Sequence, residues 1–164
     1  MKKKKFSVLT KHKINKFKKT IIVALDKSIT HRCLFIASNC VGVSKIKGLI
    51  SDDIDATING LRLLGIKIIK KEENYFVYGN GISGFKKFTG EINCGNSGTT
   101  ARSFLGLLTC FPYTVRISGD ESLKTRPFKR LTKYLEKIGA NIEHPKNKKK
   151  TLPIKICGTR AWPL

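Results

Sequence analysis

Residues 91–102 read Glu91-Ile92-Asn93-Cys94-Gly95-Asn96-Ser97-Gly98-Thr99-Thr100-Ala101-Arg102. The chain passes here from a strand-like run at 91–94, through a loop of small residues, into a helix that we predict at about 99–110. Glycines in such a loop let backbone amides approach a phosphate or carboxylate. No Lys-Ser/Thr pair follows the second glycine, so this is not a Walker loop. The stretch predicts an α/β protein with an anion site before this helix, and a plain turn is the alternative.

The elements on either side of this loop follow the same order. Ser28 and Ser51 are typical N-caps, Gly65 and Gly139 suit helix C-termini, and Pro127 suits a first helical turn. The remaining helices are predicted at about 29–40, 51–65 and 127–138. Strands are predicted at 20–24, 43–49, 67–69, 75–78, 115–118, 141–143 and 154–157.

Two stretches of the chain repeat each other. Leu64-Gly65-Ile66-Lys67-Ile68 is echoed 74 residues later by 138–142, and Ser28-Ile29-Thr30-His31-Arg32 is echoed 70 residues later by 98–102. We therefore predict two tandem βαβα-plus-strands units, at about 27–90 and 91–158. A repeated unit covers its open face with further copies. A third copy would begin where the chain reaches Leu164.

Two further clusters place cations beside a predicted helix start. In 26–32, Lys27 and Ser28 stand at the start of a helix and Arg32 lies one turn on, on the same side as Ser28. In 119–127, Arg126 directly precedes Pro127. Cations next to free backbone N–H groups favour anion binding. The alternatives are a capped helix with solvated cations, and a surface loop in which Arg126 pairs with Asp120 or Glu121.

Together the clusters resemble the 5-enolpyruvylshikimate-3-phosphate synthases over about 27–158. The matching segments are Asp-Lys-Ser-x-x-x-Arg at 26–32, Leu49-Ile50-Ser51-Asp52-Asp53, Gly-Asn-Ser-Gly-Thr-Thr-x-Arg at 95–102, Gly-Asp-Glu-Ser-Leu-x-x-Arg-Pro at 119–127, and Leu152-Pro153-Ile154. The related transferases acting on UDP-N-acetylglucosamine do not open with the first motif. The resemblance implies the inside-out α/β barrel of that family, with about two of the three units of one domain in residues 20–164.

The resemblance also implies an activity and site residues. The family transfers the enolpyruvyl group of phosphoenolpyruvate to the 5-hydroxyl of shikimate 3-phosphate and releases phosphate, without a metal or organic cofactor. The residues matching the shikimate 3-phosphate site are Lys27, Ser28 and Arg32. Those matching the phosphoenolpyruvate site, where glyphosate also binds, are Lys27, Asn96, Gly98 and Arg126. Thr99 and Arg102 match supporting positions.

The family's second domain has no counterpart in this sequence. The family's acid and base carboxylates are expected there, so no Asp or Glu of this chain is assigned a catalytic role. We therefore expect the chain to be inactive alone, and a complementing C-terminal polypeptide is one explanation of its length. A non-catalytic remnant with the same fold is another.

The charge suggests a different class of function. The chain has 33 Lys and Arg against 11 Asp and Glu, a formal net charge of +22. Nine lysines lie in residues 1–19, which we expect to form a flexible basic tail, and four more lie in 146–150. A nucleic-acid-binding module is thus the alternative. Arginines and interleaved aromatic residues are absent from both runs, which favours nonspecific nucleic-acid contact through the tail and a compositional origin of the charge.

Cysteine usage and hydropathy indicate the compartment. The five cysteines form no CxxC pair, which favours reduced thiols over a zinc site or disulfides. No segment approaches the roughly 18 apolar residues that a membrane-spanning helix needs. Residues 1–10 have no apolar run behind their lysines, so they do not resemble a secretory signal. We expect a cytoplasmic protein that does not contact a membrane.

Overall fold

Helices and strands alternate along residues 25–146 and 150–159, the part of the chain that the computed structural model describes. The helices there are α1 (Lys27–Asn39), α2 (Asp52–Leu63), α3 (Gly98–Leu108), α4 (Glu121–Lys124) and α5 (Lys129–Lys137). The strands there are β1 (Val41–Lys47), β2 (Lys67–Lys71), β3 (Asn74–Asn80), β4 (Glu91–Asn93), β5 (Thr114–Ser118), β6 (Asn141–Glu143) and β7 (Ile154–Cys157). The predicted α/β class is confirmed. The predicted strand at 20–24 and the tail at 1–19 lie outside the described residues.

The strands form two sheets with related topologies. One sheet has the order β1-β3-β2 with antiparallel pairs, and the other has the order β4-β5-β7-β6. In the second sheet β4 and β5 are parallel, whereas β5-β7 and β7-β6 are antiparallel. The arrangement β5-β7-β6 thus repeats β1-β3-β2, and a helix precedes β1 and β5 alike. The predicted tandem arrangement of similar α/β units is confirmed in this topology.

The helices of the two sequence repeats pack on each other between the sheets. Helices α1, α2 and α3 contact one another, α1 also packs on β3, and α3 packs on β5 and β7. The Phe35 ring of α1 meets the Phe104 ring of α3 edge to face, with 4.8 Å between centroids. One continuous core results. Its largest fully buried side chains include Tyr75, Phe104, Phe128, Leu34, Ile54 and Leu61.

The start of α1 corrects one prediction. Ser28 is not the N-cap, because Asp26 takes that position and its carboxylate accepts a hydrogen bond from the Ile29 N–H at 2.7 Å. A carboxylate both satisfies a free N–H and places negative charge at the positive end of the helix dipole. The helix therefore begins at Lys27, and Ser28 lies inside its first turn. The predictions for Ser51 and Gly65 are confirmed, since Ser51 caps α2 and Gly65 has a φ of +88°.

The region before α5 also differs from prediction. A short helix, α4, occupies Glu121–Lys124 and is capped by Asp120, whose carboxylate accepts from the Leu123 N–H at 2.7 Å. Four residues are too few for a helical period to be visible in sequence. Helix α5 begins at Lys129 rather than Pro127, because Phe128 takes the N-cap position. Arg126 thus lies in the connection between α4 and α5.

Candidate anion-binding site

A cavity of about 370 Å³ opens at the N-terminal ends of α1 and α3. It is lined by Lys27 of α1, Asp53 of α2, Asn96 and Ser97 before α3, Gly98, Thr99 and Arg102 of α3, and Arg126. All three sequence clusters therefore contribute to one place. Ser28 and Arg32 lie nearby on α1 but do not line the cavity: Ser28 is half-buried and Arg32 is exposed.

The first turn of α3 supplies the backbone side of the cavity. Ser97 is the N-cap, and its Oγ accepts a hydrogen bond from the Thr100 N–H at 3.2 Å. A methyl group placed on Gly98 would lie 2.5 Å from Arg102 Nη1 and 3.4 Å from Arg126 Nη1. The missing side chain at Gly98 thus lets two guanidinium groups lie against the start of the helix. Free N–H groups of a helix N-terminus and nearby cations both attract anions.

Arg126 and Arg102 are held by different contacts. The Arg126 guanidinium donates a hydrogen bond to Asn96 Oδ1, which joins the third cluster to the second. Asp120 and Glu121 are engaged elsewhere: Asp120 caps α4, and Glu121 pairs with Lys124 at 2.6 Å. The alternative in which Arg126 pairs with either carboxylate is therefore wrong.

Arg102 lies over the Phe128 ring, 5.2 Å from its centroid. This cation–π contact holds the guanidinium between α3 and the start of α5.

Asp53 is a cavity residue that the sequence reasoning missed. Its carboxylate lies 2.6 Å from Lys27 Nζ. The sequence placed Asp52 and Asp53 only at the N-terminus of α2, where they complement the helix dipole. The signal that was available is the shared position of Lys27 and Asp53 in the first turns of helices that a repeat would bring side by side. The cavity thus holds three cations and one carboxylate.

A buried row of hydroxyl groups joins the cavity wall to His31. His31 Nδ1 lies 2.7 Å from Thr57 Oγ1, which lies 2.7 Å from Thr100 Oγ1. Thr100 in turn donates to Ser97 Oγ at 2.7 Å. His31, Thr57 and Thr100 are fully buried. Burial lowers the pKa of His31, the Asp53 charge raises it, and the Lys27 charge lowers it, with the first effect the largest and the net direction downward.

The chemical capacity of this arrangement is anion binding. Three cations, a helix N-terminus and the Asn96 amide converge on a space large enough for a phosphorylated metabolite, and Asp53 is already paired. No group of three or more His, Cys, Asp or Glu within 25–146 and 150–159 is placed to hold a metal ion. Over the same residues, no helix has the length and apolar character needed to cross a bilayer.

Comparison with known proteins identifies the family. The model of the EPSP synthase (3-phosphoshikimate 1-carboxyvinyltransferase) family matches residues 11–162. A 3-phosphoshikimate 1-carboxyvinyltransferase of Sulfurihydrogenibium sp. (strain YO3AOP1) is 39% identical over 150 residues, which cover 91% of this chain and 35% of that protein. The enzyme of the same name from Alkaliphilus oremlandii is 39% identical over 90% of this chain and 34% of its own length.

A solved structure shows the same relationship. EPSP synthase from Acinetobacter baumannii superimposes with a TM-score of 0.78 at 31% identity, over 84% of this chain and 31% of that one. The chain spans about a third of the length of the relatives that it matches. With the fold, the motif order and the family model in agreement, the chain belongs to the EPSP synthase (3-phosphoshikimate 1-carboxyvinyltransferase) family.

Proposed function

We propose that the chain supplies part of the substrate site of a 3-phosphoshikimate 1-carboxyvinyltransferase, the activity in its relatives' names. In that reaction the enolpyruvyl group passes from phosphoenolpyruvate to the 5-hydroxyl of shikimate 3-phosphate, and phosphate leaves. The observation that carries the proposal is the cavity where Lys27, Arg102 and Arg126 surround the first turn of α3. Both substrates are polyanions, so a site that holds them together needs several fixed cations.

The individual residues are assigned by position. Lys27, Ser28 and Arg32 occupy the first two turns of α1 and would hold shikimate 3-phosphate. Arg32 is exposed and one turn from Ser28, so its guanidinium is available to a phosphate on that side of the helix.

Phosphoenolpyruvate would lie against Lys27, Asn96, Gly98 and Arg126, which line the cavity. Thr99 and Arg102 would support that wall.

These residues position the substrates and stabilise charge. Arg126 and Lys27 would compensate the negative charge that develops on the leaving phosphate, and fixed cations do this without reorganising during the reaction. Among the described residues that line the cavity, Asp53 is the one carboxylate and it pairs with Lys27. We therefore expect the acid and base to lie outside this chain, so that the chain alone is inactive and a complementing polypeptide restores turnover. A cytoplasmic location without membrane contact and a reaction without cofactors complete the proposal.

The nucleic-acid alternative depends on lysines elsewhere in the chain. Residues 1–19 and 147–149 lie outside the described part of the structure. Lys150 pairs with Glu136 at 3.1 Å. The cations of the cavity belong to helix starts instead, which favours a small anion as their ligand.

Thermal unfolding of the full chain with shikimate 3-phosphate and phosphoenolpyruvate tests the proposal. At a ligand concentration of 100 times Kd, binding to the native state adds about 2.7 kcal/mol of stability, which raises Tm by roughly 5–11 °C for a chain of this size. Inorganic phosphate at equal ionic strength reports the nonspecific anion effect. Lys27→Ala should abolish the specific shift, whereas Lys133→Ala removes the same charge from the exposed face of α5 and should preserve it.

A cooperative transition that neither substrate moves would reject the substrate site and favour a remnant. An equal response of wild type and Lys27→Ala would reject the assigned position. Inactivity of the chain alone is checked separately, because phosphate release from the two substrates by the purified chain would contradict it.

A further inference from the structure

Three buried hydrogen bonds of equal length run in sequence from α1 to the cavity wall. They join His31 Nδ1 to Thr57, Thr57 to Thr100, and Thr100 to Ser97, at 2.7 Å each. The four residues belong to α1, α2, α3 and the N-cap of α3, and none is more than 3% exposed. Ser97 also lines the cavity. The row therefore ends where a ligand would bind.

The direction of these bonds follows from the number of protons available. A threonine hydroxyl donates one hydrogen bond. Thr100 uses its proton toward Ser97 Oγ, so it must accept from Thr57. Thr57 then uses its own proton and must accept from His31, which requires a proton on Nδ1. The remaining contacts in the row, from Thr57 and Thr100 to Asp53 O and from Thr100 to His31 Nδ1, are longer, at 3.4–3.5 Å.

The other nitrogen of His31 agrees with this direction. Nε2 is buried and has no hydrogen-bond partner. A bare Nε2 leaves one acceptor unpaired, whereas a protonated Nε2 would bury an unpaired donor and, with Nδ1 also protonated, an unpaired charge. The lowered pKa of the imidazole is consistent with a neutral ring.

The proton of Ser97 is the one left at the end of the row. Ser97 Oγ accepts from the Thr100 N–H at 3.2 Å and from the Thr100 hydroxyl at 2.7 Å, which occupy both of its lone pairs. We propose that the Ser97 hydroxyl donates its proton to an anionic oxygen of the ligand in the cavity, and that His31, through Thr57 and Thr100, sets the direction of that donation. Ser97 is a ligand-binding residue and His31 and Thr57 are positioning residues, and these roles rest on the proposed function.

Two measurements on the full chain test this assignment. The first is the ¹⁵N NMR spectrum of the imidazoles in the ligand-free chain, where only three histidines contribute signals. His31 should be neutral with its proton on Nδ1. An Nε2–H tautomer or a protonated ring at neutral pH would overturn the proposed direction.

The second measurement is calorimetric affinity for phosphoenolpyruvate in the presence of shikimate 3-phosphate, and for inorganic phosphate alone. Hydrogen bonds to charged groups are strong enough that Ser97→Ala should weaken binding about tenfold or more. Ser51→Ala is the matched control, since it removes another serine N-cap whose side chain does not line the cavity. It should leave the affinity unchanged. An effect on both ligands assigns the contact to the phosphate group, and an effect on phosphoenolpyruvate alone assigns it to the carboxylate.

Variants of Thr57 separate the hydrogen-bond role from packing. Thr57→Val keeps the shape and removes the hydroxyl, so affinity should fall. Thr57→Ser keeps the hydroxyl and removes the methyl group, so affinity should be restored. If wild type binds and Ser97→Ala binds equally well, the assignment of Ser97 is wrong while the proposed function stands. If wild type binds neither ligand, the proposed function fails and the role of Ser97 fails with it.

Discussion

The carboxylate of Asp53 lies 2.6 Å from the ammonium group of Lys27, so a residue of α2 holds the first residue of α1 at the edge of the cavity. The pair is partly solvated, with 48% of the Lys27 side chain and 23% of the Asp53 side chain exposed. An anion entering the cavity therefore meets a lysine whose charge is already shared. Asp53 orients Lys27 and at the same time repels the ligand.

Removing the Asp53 charge should strengthen anion binding. For Asp53→Asn we expect an affinity for inorganic phosphate about threefold to tenfold higher at low salt, since one like charge near the ligand is lost, and a smaller gain at high salt. Asp52→Asn is the control, because Asp52 is exposed in the same helical turn and does not line this cavity. Calorimetric titration at two salt concentrations measures both effects. Weaker binding by Asp53→Asn would mean that orienting Lys27 matters more than the repulsion.

Arg126 should dominate the affinity for phosphate. It is half-buried and bonded to Asn96, so its guanidinium is held in place before a ligand arrives. Arg126→Ala should lower the affinity about tenfold or more, because a charge-assisted hydrogen bond is lost. Arg126→Lys should recover only part of it, since an ammonium cannot bind a phosphate with two parallel N–H groups. Arg130→Ala, an exposed change that does not touch the cavity, should have no effect.

Two glycines distinguish close packing from free space. A methyl group on Gly60 of α2 would lie 2.4 Å from a ring carbon of Phe104 and 2.9 Å from Ile92 Cγ2. Gly60→Ala should therefore lower the free energy of unfolding by about 1–3 kcal/mol through overpacking where α2 meets α3 and β4. Gly106→Ala meets nothing within 4 Å in α3. It should raise that free energy by about 0.4–1 kcal/mol.

Urea unfolding checks this pair of variants. The midpoint should move in opposite directions with an unchanged m-value. A Gly60→Ala chain as stable as wild type would contradict the close contact between α2 and Phe104.

The stability of the chain should fall in mild acid. Burial lowers the pKa of both His31 and His144; at His144 Lys150 adds to the effect and Glu136 opposes it. The unfolded chain takes up protons on histidine near pH 6.5, whereas the native imidazoles stay neutral, so below that pH the unfolded state binds more protons. The free energy of unfolding contributed by these groups is therefore constant above about pH 6.5 and decreases below it.

Urea midpoints at pH 7.5, 6.5 and 5.5 measure this dependence. His144→Gln removes one of the two contributions and should give a shallower fall than wild type. If the fall between pH 6.5 and 5.5 is no shallower in His144→Gln, His144 does not contribute to it.

The cysteines should differ sharply in reactivity. Cys94 is fully buried, and burial raises the pKa of its thiol to about 12. Cys40 is exposed at the end of α1. Because the thiolate is the reactive form, iodoacetamide at pH 8 should modify Cys40 readily and Cys94 only after unfolding. Mass spectrometry of tryptic peptides resolves the two, and rapid native labelling of Cys94 would contradict its burial.

Much of the fold was accessible from local sequence. Every predicted helix and strand within the described residues is present, with ends within two residues of the predicted ones. The signals were residues such as Ser51 and Gly65, whose preferences depend on backbone conformation over a single turn. The same local chemistry pointed to Lys27, Gly98 and Arg126, because an anion site at a helix start needs cations and glycine close together in sequence.

The contacts between repeats were not accessible in this way. Asp53 meets Lys27 across 26 residues, and Thr57 meets Thr100 across 43. Nothing in the first turn of α2 indicates that its charge faces a lysine of α1, or that a buried histidine ends a row of hydroxyl groups. Sequence periodicity reports which face of a helix is buried. The packing of α1, α2 and α3 decides which polar groups meet there, because a hydrogen bond depends on distances that only the assembled helices set.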